Sequence, residues 1–188
     1  MKLNLGCGMR KLDGHLNVDA SPHCEPDLLV DLEVLPWPFE TSSAEEIVMS
    51  HVLEHLGQAP AVYLGIIKEL YRVCRPDALV RVVVPHPHHD DFLTDPTHVR
   101  PITLQGLEMF SRKKIREGQA RGAATTPLAL MLDVDFEVVS AEAQPVEPWL
   151  TRLRKREISP QDLAYAARTY RNVIGATSIV LRALKPAT

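Results

Sequence analysis

The sequence predicts an α/β fold built on a mostly parallel sheet, and three observations carry that prediction. Short apolar runs alternate with helical patterns along the chain, as in strands joined by crossovers over a sheet face. Two of the runs, residues 47–50 and 79–84, are apolar enough to be buried on both faces, which a parallel sheet requires. A glycine pair, Gly6 and Gly8, follows the first run, where a strand hands over to a ligand loop.

Residues 3–5, 16–18, 28–30, 47–50 and 79–84 read as the first five strands. Between the last two, Val62, Ile66, Ile67, Leu70 and Val73 recur at helical spacing, and Arg75-Pro76 stops the pattern. This is a crossover helix. Thr103 is placed to cap a helix carrying Leu104, Leu107 and Phe110, and Ser159 to cap one that opens on Pro160. Residues 136–139 and 178–184 read as closing strands, with a helical insertion over 145–175 that is longer than an ordinary connection.

The 188 residues suffice for one domain with a continuous core and are few for two, so a single domain over 1–188 is expected, with residues 85–125 as a substrate-side loop and helix. No apolar run is long enough to cross a membrane, so no membrane partner is expected. Met1-Lys2 leads straight into the first strand with no leader pattern, and Cys7, Cys24 and Cys74 form no paired motif. A reducing, cytoplasmic setting fits both. The net charge of −3 argues against a dedicated nucleic-acid surface, and the basic run at 152–156 reads as a solvated helix face.

The glycine loop is too compressed for a dinucleotide. A nicotinamide site needs a third glycine, a full helix and an acid about 20 residues on, whereas here Asp19 follows Gly8 by 11 positions. Asp19 nevertheless ends the second strand, and so short a connection forces the two strands to be neighbours. Glycines and acid then converge on one site suited to a nucleoside without a pyrophosphate.

Five segments stand in an order that resembles class I S-adenosylmethionine-dependent methyltransferases, in particular a small type 11-like branch. They are Leu3-Asn-Leu-Gly-Cys-Gly8, Gly14 with Asn17-Val-Asp19, Asp31 to Phe39, Glu46 to Leu56 and Leu70 to Pro76. The resemblance covers residues 2–86 and implies a Rossmann-like sandwich with a shortened first crossover and an antiparallel C-terminal hairpin. It also implies S-adenosyl-L-methionine as cofactor. By that resemblance, Gly6, Cys7 and Gly8 let the backbone approach the methionine part, and Asp19 and Ala20 serve the ribose. Asp31 meets the adenine amino group, the Leu32 amide a ring nitrogen, and Trp37 or Phe39 the ring face. Ser50 and His51 stand beside the sulfonium. Two segments depart from the pattern: Glu45-Glu46 replaces the usual Phe-Asp, and Arg75-Pro-Asp-Ala78 the usual Lys-Pro-Gly-Gly.

Four of the eight histidines lie within residues 86–98, over the carboxyl ends of the strands where ligands bind in this fold. Three uses compete: substrate contact with His98 or His86 as proton acceptor, a metal site from His86, His88, His89 and Asp90, or a structural turn at Asp95-Pro96-Thr97. Of these the proton-acceptor use is favoured, with His98 and His86 as the catalytic residues and no metal expected. His55 reads as a satisfied structural histidine. In the insertion, Trp149, Tyr165, Tyr170 and Arg152, Arg154, Arg168 and Arg171 suit an acidic substrate, a solvated face or a homodimer contact equally. The expectation is methyl transfer to an oxygen or nitrogen of a small polar metabolite or glycan-type intermediate. The alternative is a binding protein that keeps the fold and has lost the chemistry.

Overall fold

The computed structural model describes residues 1–185. Seven strands form one sheet: β1 (Lys2–Leu5), β2 (Leu16–Asp19), β3 (Leu28–Leu29), β4 (Ala44–Ser50), β5 (Cys74–Pro85), β6 (Phe136–Pro145) and β7 (Ile174–Ala183), in the order β3-β2-β1-β4-β5-β7-β6. The pairs from β3 to β5 are parallel, while β7 runs antiparallel to both β5 and β6. The carboxyl ends of β1 to β5 therefore open on the same side. Helix α1 (Pro60–Val73) begins with proline at its first turn and buries Tyr63, Ile66, Ile67, Leu70 and Val73.

Both closing strands run longer than their sequence pattern suggests, since β6 and β7 pair from Phe136↔Ala183 to Pro145↔Ile174. Most of β6 is solvent-facing, so it lacks the apolar alternation that marks a strand from sequence. The insertion shortens to 146–173 and carries α6 (Trp149–Arg154) and α7 (Pro160–Thr169). Ser159 and Asp162 form a reciprocal capping box on α7. Between β5 and β6 lie α2 (Asp90–Thr94), α3 (Leu104–Glu108), α4 (Arg112–Ala120) and α5 (Leu128–Met131). Thr103 Oγ1 accepts from the Gly106 amide at 3.0 Å and caps α3, but the helix ends before Phe110, which is buried beyond its last turn.

Parallel neighbours ordinarily need a crossover of a dozen residues or more, usually a helix, yet β1 and β2 are joined by residues 6–15 alone, without one. The turn's backbone is satisfied by two buried asparagines. Asn4 Nδ2 donates to the Arg10 carbonyl and to Asn17 Oδ1, both at 2.9 Å. Asn17 Oδ1 also accepts the Leu12 amide at 2.8 Å, and its Nδ2 donates to Asp27 Oδ2 at 2.8 Å. The Asn17 backbone amide donates to the same Asp27 oxygen at 2.8 Å. These bonds hold the Asp27 carboxyl below its ordinary value, the Asn17 amide first among them.

A second polar clamp fixes residues 37–39. Arg72 grips Glu69 through Nε and Nη2, both at 2.8 Å, and donates to the Phe39 carbonyl at 2.8 Å and the Trp37 carbonyl at 3.1 Å. Glu69 Oε2 in turn accepts the Trp37 amide at 2.8 Å. Trp37 and Phe39 are buried 6.4 Å apart, edge to face, and Trp37 Nε1 donates to the Leu32 carbonyl at 2.9 Å. They belong to the core and do not wall a ligand ring.

The departing segments lie at the far end of the strands from the loops. Glu46 pairs with Arg81 and Lys2, and Glu45 with Arg75. Arg75-Pro-Asp-Ala78 forms an irregular start to β5, where the register slips between Ala44 and Glu46.

Asn17→Ala leaves Asn4 Nδ2 and the Leu12 amide without their acceptor, and we expect it to lower unfolding free energy by roughly 2–4 kcal/mol in urea titrations. Glu69 titrates below its ordinary value of 4.5, first because Arg72 hydrogen-bonds its carboxylate. Its folded pKa lies below the unfolded one, so its contribution is complete above the unfolded value and lost as pH falls through the folded value. Urea midpoints measured from pH 6 down to about pH 3 should fall less steeply for Glu69→Gln than for the native chain.

Candidate active site

Four strand ends build one cavity of about 310 Å³, lined by Gly6 and Gly8 after β1, Asp19 and Ala20 at β2, Val30, Asp31 and Leu32 after β3, and His51, Val52, His55 and Leu56 after β4. Seven of the nine sequence-predicted cofactor residues line it. Cys7 instead lies buried beneath the loop, its amide bonded to the Val18 carbonyl at 2.9 Å and its thiol pushed up chiefly by burial. Ser50 ends β4 and is not among the lining residues. Val30, Val52 and Leu56, none of them singled out from sequence, complete the wall with His55, which the sequence suggested only as a structural histidine.

Both glycines hold positive φ, 67° at Gly6 and 51° at Gly8. A Cβ on Gly6 would lie 2.4 Å from Val52 Cγ2, whereas one on Gly8 would meet nothing within 4 Å. Gly6 therefore lets β1 and β4 close together, and Gly8 leaves space at the mouth. Asp19 is fixed at both oxygens: Oδ2 accepts the Gly8 amide and Oδ1 the Ser21 amide, each at 2.8 Å. A carboxylate oxygen has two lone-pair directions, so each keeps one for a further donor. Asp31 Oδ1 accepts the Glu33 amide at 2.9 Å, while the Leu32 amide has no intrachain acceptor among the described residues.

The chain leaves β4 through His51 in the left-handed region, φ 56°, an uncommon conformation for a non-glycine residue. Its amide is held by the Val83 carbonyl at 2.8 Å. His51 also lines a second cavity of about 360 Å³, with Pro85, Asp91, His98, Gln144, Pro145, Val146, Gly175 and Ala176. One imidazole thus forms a shared wall between the two spaces. It titrates above its ordinary value, chiefly because of the Glu54 carboxylate and against the opposing effect of burial.

The two candidate proton acceptors, His98 and His86, line different cavities. His98 faces the second cavity, and its ring stacks on Phe92 at 5.3 Å and meets His55 edge-on at 4.6 Å. His86 lines a separate cavity of about 480 Å³ with His88, Leu163, Ala167 and Arg168, and burial lowers its pKa. The His86-His88-His89-Asp90 metal reading also finds its members engaged elsewhere. Asp90 is bound by Asn172 and Arg171, and His89 Nδ1 accepts the Asp91 amide at 3.2 Å while capping α2. In the insertion, Arg152 stacks over Trp149 and Arg171 pairs with Asp90.

No protein-family profile matches the chain, and no curated protein matches it in sequence. Its backbone does match solved structures. A SAM-dependent methyltransferase from Archaeoglobus fulgidus superposes with a TM-score of 0.62 at 16% identity, covering 96% of this chain and 85% of that one. One from Methanosarcina mazei gives 0.58 at 16% identity over 98% and 92%, and one from Thermotoga maritima 0.56 at 12% over 98% and 81%. The chain has the class I methyltransferase fold. Open α/β sheets bind ligands in the crevice at the carboxyl ends of their parallel strands, which is where the Gly6–Asp19–Asp31 cavity lies.

Both glycines test this loop directly. Gly8→Ala forces a side chain into a left-handed conformation and should cost about 1–2 kcal/mol of stability. Gly6→Ala adds the overlap with Val52 and should cost roughly 1–3 kcal/mol more, measured by urea unfolding of both variants side by side.

Proposed function

We propose that this chain is a methyltransferase that uses S-adenosyl-L-methionine and acts on an oxygen or nitrogen of a small polar acceptor. The observation that carries the proposal is the shared His51 wall between the glycine–carboxylate cavity and the second cavity beside it. A two-substrate transfer needs such adjacency, because the reacting atoms must be held in line and close.

The residues fit the cofactor. Asp19 keeps a free lone pair on each oxygen for the two ribose hydroxyls, Asp31 and the Leu32 amide offer an acceptor and a donor to adenine, and Gly8 leaves the approach to the loop open. When bound, S-adenosylmethionine supplies a methyl group on a positively charged sulfur. The protein's own work is then to orient the acceptor, exclude water and take a proton from a neutral nucleophile. His51 and His98 are the imidazoles on the acceptor side, and either ring can accept that proton. His86, around the corner in its own cavity with Arg168, is placed to read the remote, acidic or sugar-like part of an acceptor. The similar structures from Archaeoglobus fulgidus and Methanosarcina mazei are methyltransferases and the glycine–carboxylate cavity is open, which favours catalysis over a decayed binding protein.

Isothermal titration of the purified chain with S-adenosylmethionine and with S-adenosylhomocysteine tests the cofactor. We expect micromolar binding of both, and Asp19→Ala to weaken it by about 10- to 100-fold through loss of two charge-assisted hydrogen bonds. Absence of binding to the folded native chain would overturn the proposal, and unchanged affinity in Asp19→Ala would misplace the ribose.

A further inference from the structure

The turn after β4 buries a carboxylate that accepts no hydrogen bond among the described residues. Glu54 is fully buried, and neither side-chain oxygen is hydrogen-bonded among the described residues. His51 Nδ1 stands 3.5 Å from Oε1, an electrostatic contact rather than a formed hydrogen bond. No lysine or arginine pairs with Glu54 among the described residues. A carboxylate taken out of water in this way costs several kcal/mol unless a cation or donors compensate it. Its backbone, by contrast, is well used: the Glu54 carbonyl accepts the Val99 amide at 2.9 Å and the Arg100 amide at 3.2 Å. That clamp pulls residues 97–100 over the turn and brings His98 beside His55.

One donor atom each from Glu54, His55 and His98 lie within 4.8 Å of one another. Both rings are fixed from behind. His98 Nδ1 is 2.8 Å from the Phe92 carbonyl, so it carries the proton and leaves the Nε2 lone pair free. His55 Nδ1 is 2.9 Å from Thr97 Oγ1, whose hydroxyl donates to Asp95 Oδ1 at 2.6 Å; the hydroxyl is therefore the acceptor for His55, and its Nε2 is free as well. A ligating histidine almost always gives its other N–H to a carbonyl, a carboxylate or a water. Here one ring meets a carbonyl and the other reaches a carboxylate through a hydroxyl.

From this arrangement we infer that Glu54, His55 and His98 form a binding site for a divalent transition-metal ion of the zinc, cobalt or manganese type. Two imidazoles and a carboxylate leave at least one coordination position open, and two nitrogen donors disfavour magnesium. The site lies where the two cavities meet, since His55 lines the first, His98 the second and His51 both. An acceptor hydroxyl could fill the open position; that role rests on the methyltransferase proposal, whereas binding of the ion does not. With the ion bound, His98 is a ligand, and His51 remains as the imidazole free to take a proton.

The test is a titration of metal-free protein with Co²⁺ alone, followed by visible absorption, with displacement by Zn²⁺ and no cofactor present. The expected result is one equivalent of Co²⁺ bound with visible bands typical of fewer than six ligands. His55→Ala and His98→Ala should weaken it by more than about 100-fold and Thr97→Val, a surface change that spares folding, by about 10-fold. His88→Ala should leave it intact. The inference is overturned if the folded native chain shows no saturable Co²⁺ binding. Binding that survives His98→Ala and Thr97→Val and is lost in His88→Ala would overturn it too, by moving the ion to residues 86–91. Because no cofactor enters the titration, metal binding without affinity for S-adenosylmethionine would sink the methyltransferase reading alone.

Discussion

The structure depends on the buried contact between Asn4 and Asn17. Two parallel strands joined by so short a segment leave a turn whose amides and carbonyls have no helix to satisfy them. The side chains of β1 and β2 supply those bonds themselves, with Asp27 anchoring the far side. A helix would have carried the chain away from the sheet and back. The asparagine stitch keeps it against the strand ends, so Gly8 donates directly to Asp19 and the two arrive at the ligand crevice already joined.

The same economy recurs around the crevice. Glu69 and Arg72 on α1 tie down residues 37–39, which places Trp37 under Leu32 and fixes the loop that carries Asp31. The Glu54 carbonyl gathers Val99 and Arg100, and Arg100 lies over Tyr63 at 4.4 Å while donating to the Gly57 carbonyl at 2.8 Å. Loops that would otherwise be free to move are thereby held by buried or half-buried polar bonds to α1 and β4. A site built this way is rigid around the Gly8–Asp19 cavity. The second cavity is bounded by segments from distant parts of the chain, Gln144 to Val146 and Gly175-Ala176, and connecting segments of this kind are where a fold has most freedom to differ.

Much of the Gly6–Asp19–Asp31 cavity was legible in the sequence because its residues sit at strand ends, and strand ends are announced locally. An apolar run followed by glycine or aspartate states both where the strand stops and which atoms it presents. The cavities beyond His51 were not legible in the same way. His86 and His98 share a histidine-rich segment, yet α2 and the latch of Asp90 to Asn172 and Arg171 turn them into different cavities. Trp37 and Phe39 were equally ambiguous as core or ligand wall, and the Glu69–Arg72 clamp decided for the core.

The sequence by itself determined the strand and helix alternation, the compressed glycine loop and the identity of the residues at each strand end, because these follow from periodicity and turn chemistry over a few neighbouring positions. Only the tertiary structure decided that Glu54 would be buried with no hydrogen bond to its carboxylate among the described residues and that His98 would close on His55. Those two facts arise from backbone hydrogen bonds between the turn after β4 and a segment beyond β5. No local pattern encodes which carbonyl a distant amide will find.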